Sequence, residues 1–93
     1  METNIQVEKW AEGEFRVTLT EGRSRSTHVV TVPHDYYEKL TAGQISVEEL
    51  VRQSFEFLLE REPKESILNQ FDLRVIATYF PEYEREIKWR IEE

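Results

Sequence analysis

The chain has 93 residues, no cysteine and a formal net charge of −7. This length predicts one domain spanning residues 1–93, and the lack of cysteine excludes a disulfide scaffold, a thiolate nucleophile and cysteine-ligated metals. Nucleic-acid binding usually needs an excess of Lys and Arg on one surface, so the acidic balance argues against a nucleic-acid partner. The short apolar runs predict no membrane span. Because Met1 to Asn4 lack a basic patch before an apolar run, we expect no signal peptide and a cytoplasmic protein.

The first third of the chain has the pattern of β-strands. Phe15 to Thr20 alternates apolar and polar side chains, as a half-buried strand does. The stretches Ile5 to Trp10 and Ser24 to Val32 predict two further strands. Short turns that contain Gly13 and Gly22 connect the three segments, because glycine accepts the positive φ of tight turns. We therefore expect an antiparallel β-meander.

A helical pattern begins after the meander. Asp35, followed three residues later by Glu38, is typical of a capping box and predicts a short helix from Tyr36 to Thr41 that Gly43 would end. Ser46 repeats this signal before a longer helix.

The longer helix is predicted from Val47 to about Glu62. Its apolar residues recur at helical spacing and cover an arc of roughly 200° at about 100° per residue. Phe57 lies at one edge of this arc. Because the arc is wider than one sheet face requires, we expect this helix to contact the sheet, the later helices and a second subunit.

Two more helices are predicted toward the C-terminus. Asp72 is a suitable N-cap for a helix from Leu73 to Phe80. Pro81 suits the first turn of a final helix, because its missing N–H would have no partner there. Trp89 lies off the apolar face of that final helix.

These elements predict an α+β fold in which a three-stranded antiparallel β-meander is followed by three to four helices packed on one face. The strand-rich part is residues 1–33 and the helix-rich part is residues 34–93. The predicted core consists of apolar residues from both parts: Val7, Phe15, Val17, Leu19, Val30, Leu50, Val51, Phe55, Leu58, Ile76, Phe80 and Ile87.

Three segments resemble a family of small uncharacterised bacterial proteins of unknown function. They are Val32–Leu40 (VPHDYYEKL), Ser54–Leu68 (SFEFLLEREPKESIL) and Phe71–Ile87 (FDLRVIATYFPEYEREI). The resemblance covers about half of the chain and includes no catalytic signature. It implies a short, stand-alone bacterial domain and supplies no functional residues.

Few residue combinations in the sequence could perform chemistry. His28, His34 and Asp35 are the only candidate metal ligands, but most metal sites need three or four converging ligands. We favour the interpretation that one is a sheet-face histidine and the other a loop histidine beside a helix cap. No serine lies in a nucleophile-elbow pattern, and the glycines are too widely spaced for a phosphate-binding loop. We therefore predict a protein that is not an enzyme and has no cofactor.

Arg16, Arg23 and Arg25 lie around the second predicted hairpin. They could bind a phosphate group or an acidic partner surface. We favour the interpretation that they are ordinary edge and turn charges, which keep a sheet from pairing with other sheets.

The aromatic residues give the strongest indication of function, because Tyr, Trp and Phe are enriched in interface cores. They include Trp10 and Tyr79, and the five that we predict at an interface are Tyr36, Tyr37, Phe57, Tyr83 and Trp89. We expect a protein–protein interaction or assembly module whose partner is another protein, including a second copy as a homodimer. An antitoxin-like or regulatory module that binds a protein or nucleic acid is the first alternative. A small metal-dependent enzyme is the second.

Overall fold

The computed structural model describes residues 3–92, so Met1, Glu2 and Glu93 lie outside the described residues. The prediction about a signal peptide falls partly on those undescribed residues. Residues 3–92 form an α+β fold with four strands and four α-helices. In chain order the elements are β1 (Asn4–Ala11), β2 (Glu14–Glu21), β3 (Ser24–Thr31), α1 (His34–Thr41), α2 (Val47–Arg61), a 3₁₀ turn (Lys64–Ser66), β4 (Gln70–Asp72), α3 (Val75–Tyr79) and α4 (Tyr83–Glu92).

The predicted antiparallel meander of β1, β2 and β3 is confirmed. Val7 lies opposite Val17, which in turn lies opposite His28. At the two turns Gly13 and Gly22 have φ values of 73° and 60°, a conformation in which glycine is not strained. The alternation of the sequence appears as alternation of burial, and the buried row of the meander contains Phe15, Val17, Leu19, His28 and Val30.

The sheet has a fourth strand, β4, that the sequence did not predict. β4 pairs in parallel with β3 and extends the sheet to the order β1-β2-β3-β4. The amide of Val29 donates to the carbonyl of Asn69 at 2.8 Å, and the amide of Leu73 donates to the carbonyl of Thr31 at 2.9 Å. A strand of three residues is too short to show a period of two. Its conformation is set by these distant hydrogen bonds rather than by local propensity.

The start of α1 differs from the prediction. The helix begins at His34, and Asp35 accepts a hydrogen bond from the adjacent amide of Tyr36 at 2.9 Å. No side chain caps the helix, so the predicted capping box with Glu38 is wrong. The helix ends where Ala42 adopts a left-handed conformation with φ of 51°, one residue before the glycine that was expected to end it.

The prediction for α2 is confirmed at its start. Ser46 caps the helix by accepting a hydrogen bond from the amide of Glu49 at 3.0 Å. The helix ends at Arg61, and Glu62 then adopts an extended conformation. No helix within residues 3–92 is both long enough and apolar enough to cross a membrane.

The C-terminal helices are shorter than predicted. Asp72 belongs to β4 and accepts a hydrogen bond from the amide of Arg74 at 2.8 Å, so it forms a local turn and does not cap α3. The final helix is confirmed, and Tyr83 and Ile87 lie on its buried side. The predicted core is also confirmed, except that Val7 and Phe80 are only partly buried.

Candidate functional site

Most of the aromatic residues predicted at an interface lie inside the chain. Phe57 and Tyr83 have no exposed surface, and Tyr36 is only 7% exposed. The Phe57 ring lies 5.9 Å from the ring of Phe80 and 5.2 Å from that of Tyr83. The wide apolar arc of α2 is therefore covered by residues around α3 and α4 of the same chain. In this conformation these three residues offer a partner almost no surface.

Tyr36 also makes a polar contact between α1 and α4. Its hydroxyl donates to Oε2 of Glu84 at 2.7 Å, and Nζ of Lys39 lies 3.3 Å from Oε1 of the same carboxylate. Burial, together with the hydrogen bond to Glu84, raises the pKa of Tyr36 above its ordinary value. The hydrogen bond from Tyr36 lowers the pKa of Glu84. This arrangement stabilises the packing of the two helices.

The two remaining predicted interface residues differ in exposure. Tyr37 is half-buried, and its hydroxyl donates to the carbonyl of Ile45. Trp89 is 59% exposed on α4. Of the five predicted interface residues, Trp89 therefore keeps the most accessible surface.

The three arginines singled out in the sequence do not form one cluster. Arg23 and Arg25 are exposed at the turn between β2 and β3. Arg16 lies toward the other end of β2, roughly 16 Å along the strand from that turn at about 3.3 Å per residue. Its guanidinium lies 3.0 Å from Oε1 of Glu8 and 4.8 Å from the centre of the Trp10 ring. These arginines are separate surface features.

The candidate metal ligands are not brought together either. Nδ1 of His28 lies 2.7 Å from the carbonyl oxygen of Leu68, and Nε2 lies 2.9 Å from Oγ of Ser26. Because a carbonyl oxygen can only accept, Nδ1 carries the proton and Nε2 accepts from the serine hydroxyl. Both ring nitrogens are thus occupied. His34 is exposed, and within residues 3–92 no three histidines or carboxylates converge on a point that could hold a metal.

The contact between Ser26 and His28 has the geometry of a serine nucleophile beside its general base. His28 is only 1% exposed, however, and its ring packs 5.6 Å from that of Phe55. Neither the depression between α2 and α3 nor the one on α4 is lined by Ser26 or His28. We interpret the contact as one that orients the His28 ring, whose Nδ1 donates to the carbonyl of Leu68 and holds that residue against β3.

A buried lysine forms a second link to the same segment. The side chain of Lys64, at the start of the 3₁₀ turn, is 3% exposed. Its ammonium donates to the hydroxyl of Ser24 and to Oε2 of Glu65, the latter at 2.6 Å. A buried charge is tolerated only when it is paired and hydrogen-bonded. The Lys64 and His28 links together fix residues 64–68 beside β3.

This fixed segment forms one wall of an apolar groove, which we call the α2–α3 groove. The groove has a volume of ≈ 360 Å³ and lies between the end of α2, residues 66–71 and α3. Leu68 and Tyr79 are 49% and 67% exposed, so the groove opens to the surface beside them. The complete lining is Leu58, Glu62, Ser66, Ile67, Leu68, Phe71, Val75, Ile76, Tyr79 and Phe80.

Among residues 3–92, Glu62 is the only charged residue that lines the groove. It is half-buried at the end of α2, and no ion pair within residues 3–92 includes it. The neighbouring Arg61 instead contacts Glu82, with Nε 3.1 Å from Oε2. The groove thus combines an apolar wall with one negative charge that no cation of the described chain neutralises.

The sequence did not reveal this groove. Tyr79 belonged to the aromatic residues considered, but it was not assigned to an interface. Leu68 and Phe71 were not considered, because their segment has neither the period of a helix nor that of a strand. The available signal was the pair Ile67 and Leu68, since two adjacent apolar residues in a short connection cannot both face one core.

Comparisons with known proteins do not identify the chain. No protein-family profile, no curated protein and no solved structure matches it. The resemblance of three segments to small bacterial proteins therefore stays a prediction.

Proposed function

We propose that this protein is a protein–protein interaction module that binds an apolar segment of a partner in the α2–α3 groove and has no catalysis of its own. The groove itself carries this proposal, because it is an open apolar recess next to two large exposed apolar side chains, Leu68 and Tyr79. Its volume is at the lower end of the range for small-molecule sites. It suits one or two anchoring side chains of a partner.

The exposed rim favours a protein partner over a small molecule. Small-molecule sites enclose most of the ligand surface, whereas Tyr79, which lines this groove, is two-thirds exposed. Tyrosine is enriched among interface residues that contribute strongly to binding, because it combines apolar area with a hydrogen-bonding end. An anchor residue in the groove and a flanking contact to Tyr79 match this type of interface.

The charge of the chain favours a basic partner. The net charge is −7, and Glu62 adds an unneutralised carboxylate within the groove. Complementary charge speeds association and disfavours like-charged partners. A second copy in this groove would bring two acidic chains together, so we do not propose self-association there. An antitoxin-like module that neutralises a basic protein would use the same chemistry.

The arrangement of the sheet is compatible with this role. We propose that the helices cover only the sheet face that carries the buried row of Phe15, Val17 and Leu19. The opposite row of β2 contains Arg16 and Thr18, which keep partial exposure. Under this arrangement the groove lies at the margin of the helical layer.

A displayed library of random peptides of about 12 residues, which is long enough to fill a groove of this kind, tests the proposal. Selected peptides should carry a large apolar residue near Lys or Arg. Tyr79→Ala removes the rim contact and Val75→Phe fills the groove, and each should weaken binding of a selected peptide by about tenfold or more, measured by fluorescence anisotropy. Trp10→Ala, which removes an exposed aromatic residue elsewhere, is the matched control and should leave binding unchanged.

Two outcomes would contradict the proposal. The first is a library that yields no peptide above background. The second is a set of selected peptides whose binding is unchanged by Tyr79→Ala and Val75→Phe. Thermal melting of each variant, followed by circular dichroism, separates a loss of binding from a loss of folding.

Self-association is a second candidate, favoured by Trp89. This residue lines a second depression on α4 together with Arg85, Lys88 and Glu92, which recur at helical spacing. If two α4 helices packed antiparallel about an axis near Trp89, Arg85 of one copy would lie beside Glu92 of the other. The Arg85 and Glu92 positions of the stripe are therefore complementary in charge, while Lys88 of each copy lies near the axis beside Trp89.

Sedimentation velocity at high micromolar concentration tests self-association. We expect a dimer that Trp89→Ala converts to a monomer, because the variant loses the apolar centre of the contact. Arg85→Glu should weaken the dimer too, since it places like charges together. A wild-type protein that sediments as a monomer, at the same rate as Trp89→Ala, would rule out this contact.

A further inference from the structure

The outer edge of β4 offers backbone hydrogen-bonding groups beside the α2–α3 groove. β4 is the last strand of the sheet and pairs with β3 alone. The bonds to β3 involve the carbonyl of Asn69 and the amide of Leu73. Residues of a parallel strand use their backbone groups alternately on the two sides. The amides and carbonyls of Gln70 and Asp72 therefore point away from β3.

These outward groups have no backbone partner in turns or loops. Among residues 3–92, no turn, loop or cap hydrogen bond between backbone groups involves the amide or carbonyl of Gln70 or Asp72. The side chain of Asp72 bonds to Arg74, which leaves the outward backbone groups of the strand unaffected. Unpaired N–H and C=O groups along a sheet edge are a template for another extended chain.

The groove and the edge are parts of one surface. Phe71 lies between Gln70 and Asp72 in β4, and its side chain lines the groove. Successive side chains of a strand point to opposite faces. A chain paired with β4 would therefore direct every second side chain toward the side on which Phe71 and the groove lie.

The opposite edge of the sheet differs from this one. On β1, the exposed Lys9 lies opposite Phe15, and a register shift occurs between Lys9 and Ala11. A lysine at the edge and an irregular register are features by which proteins block pairing at an exposed edge. β4 has neither feature, and its shortness limits the pairing energy. Affinity at β4 must therefore come mainly from a side chain in the groove, which makes the pairing selective.

We infer that β4 and the α2–α3 groove together bind an extended segment of a basic protein partner, which adds to the sheet as a fifth strand. Of the side chains that face the groove, which are every second one of the segment, an apolar one enters the groove and a neighbouring Lys or Arg pairs with Glu62. This inference rests on the proposed function and adds the conformation and composition of the bound segment.

The probe is a synthetic peptide of about eight residues, the length of an ordinary strand, in which every second residue is leucine or lysine in turn and the residues between them are threonine, so that one face carries both leucine and lysine. Its binding is measured by fluorescence anisotropy at low and at physiological salt. We expect binding that weakens with salt, because charge contributes to it. Glu62→Gln should weaken binding by several-fold and reduce this salt dependence.

Two measurements test the extended conformation. Gln70→Pro removes an outward N–H at a position where an edge strand tolerates proline, and it should weaken binding by about tenfold. A scan with single N-methyl groups along the peptide should show weakened binding at every second position, because only alternate amides face β4. Trp10→Ala is the control and should bind as the wild type does. The peptide scan uses the unaltered protein, so it remains decisive if Gln70→Pro fails to fold.

The outcomes separate this inference from the proposed function. A period of three to four residues in the N-methyl scan, or no loss at any position, would overturn extended pairing. If Tyr79→Ala still weakens binding in that case, the groove remains the binding site. If Tyr79→Ala, Gln70→Pro and the N-methyl scan all leave binding unchanged, both proposals fail.

Discussion

A buried pair of hydroxyls between α2 and α4 allows a quantitative test of the packing. The Tyr83 hydroxyl lies 2.6 Å from Oγ of Ser54, and neither side chain is exposed. Ser54 also lies 2.8 Å from the carbonyl of Leu50, to which it donates its single proton. Tyr83 must therefore donate to Ser54. Burial raises the pKa of Tyr83, so it remains a donor at neutral pH.

The direction of these hydrogen bonds makes the two single substitutions unequal. Tyr83→Phe removes a donor while Ser54 keeps its bond to Leu50, so the cost is about 1 kcal/mol. Ser54→Ala leaves the Tyr83 hydroxyl buried without an acceptor, which costs about 1–3 kcal/mol. The better helix propensity of alanine offsets roughly 0.5 kcal/mol of this cost.

The double variant should be more stable than the sum of the single effects implies. Without the tyrosine hydroxyl, Ser54→Ala no longer strands a polar group, so we expect a coupling energy of about 1–2 kcal/mol. Urea unfolding of the four proteins at neutral pH, followed by circular dichroism, measures it. Additive effects of the two substitutions would refute the assigned direction of the hydrogen bonds.

Three further outcomes are expected from other contacts. Ser46→Ala should lower the free energy of unfolding by about 1 kcal/mol, because the amide of Glu49 loses its acceptor; urea unfolding measures this. The hydrogen bond from Tyr36 lowers the folded-state pKa of Glu84. The stabilisation that ionised Glu84 gives the fold is therefore complete above the ordinary glutamate pKa and is lost as the pH falls through the lowered value. In the Tyr36→Phe variant the free energy of unfolding should therefore fall less as the pH is lowered, which urea unfolding across that pH range measures. His28→Leu should speed amide hydrogen exchange in residues 64–69, because Leu68 loses its link to β3.

Local signals explain which elements the sequence could predict. The meander was predictable because each strand is long enough to show alternation and each turn contains a glycine. The start of α2 was predictable because Ser46 and the amide of Glu49 are only three residues apart. Such features are set within one segment, so they need no knowledge of the rest of the chain.

The location of Phe57 shows what packs against the wide apolar arc of α2. From the sequence, Phe57 lay at the edge of an arc that one sheet face could not cover. In the structure, the apolar surfaces around α3 and α4 cover it, and the guanidinium of Arg61 lies 3.6 Å from the ring centre. The sequence predicts a wide apolar arc on α2, but it does not specify which other elements of the fold pack against that arc. Trp89 is exposed because no element of the described chain covers it.

The groove could not be predicted because its wall has little secondary structure of its own. Residues 64–72 are positioned by contacts with residues some forty positions earlier in the chain: Lys64 with Ser24, His28 with Leu68, and Val29 with Asn69. Each contact joins a polar group of β3 to this segment. The side chains of Ser24 and His28 therefore find these partners only when residues 64–68 lie beside β3. The sheet therefore holds both the groove wall and the unpaired edge in fixed positions. A partner strand added to β4 would bind a surface that folding has already ordered. Little conformational entropy of this surface would then be lost on binding, which favours affinity.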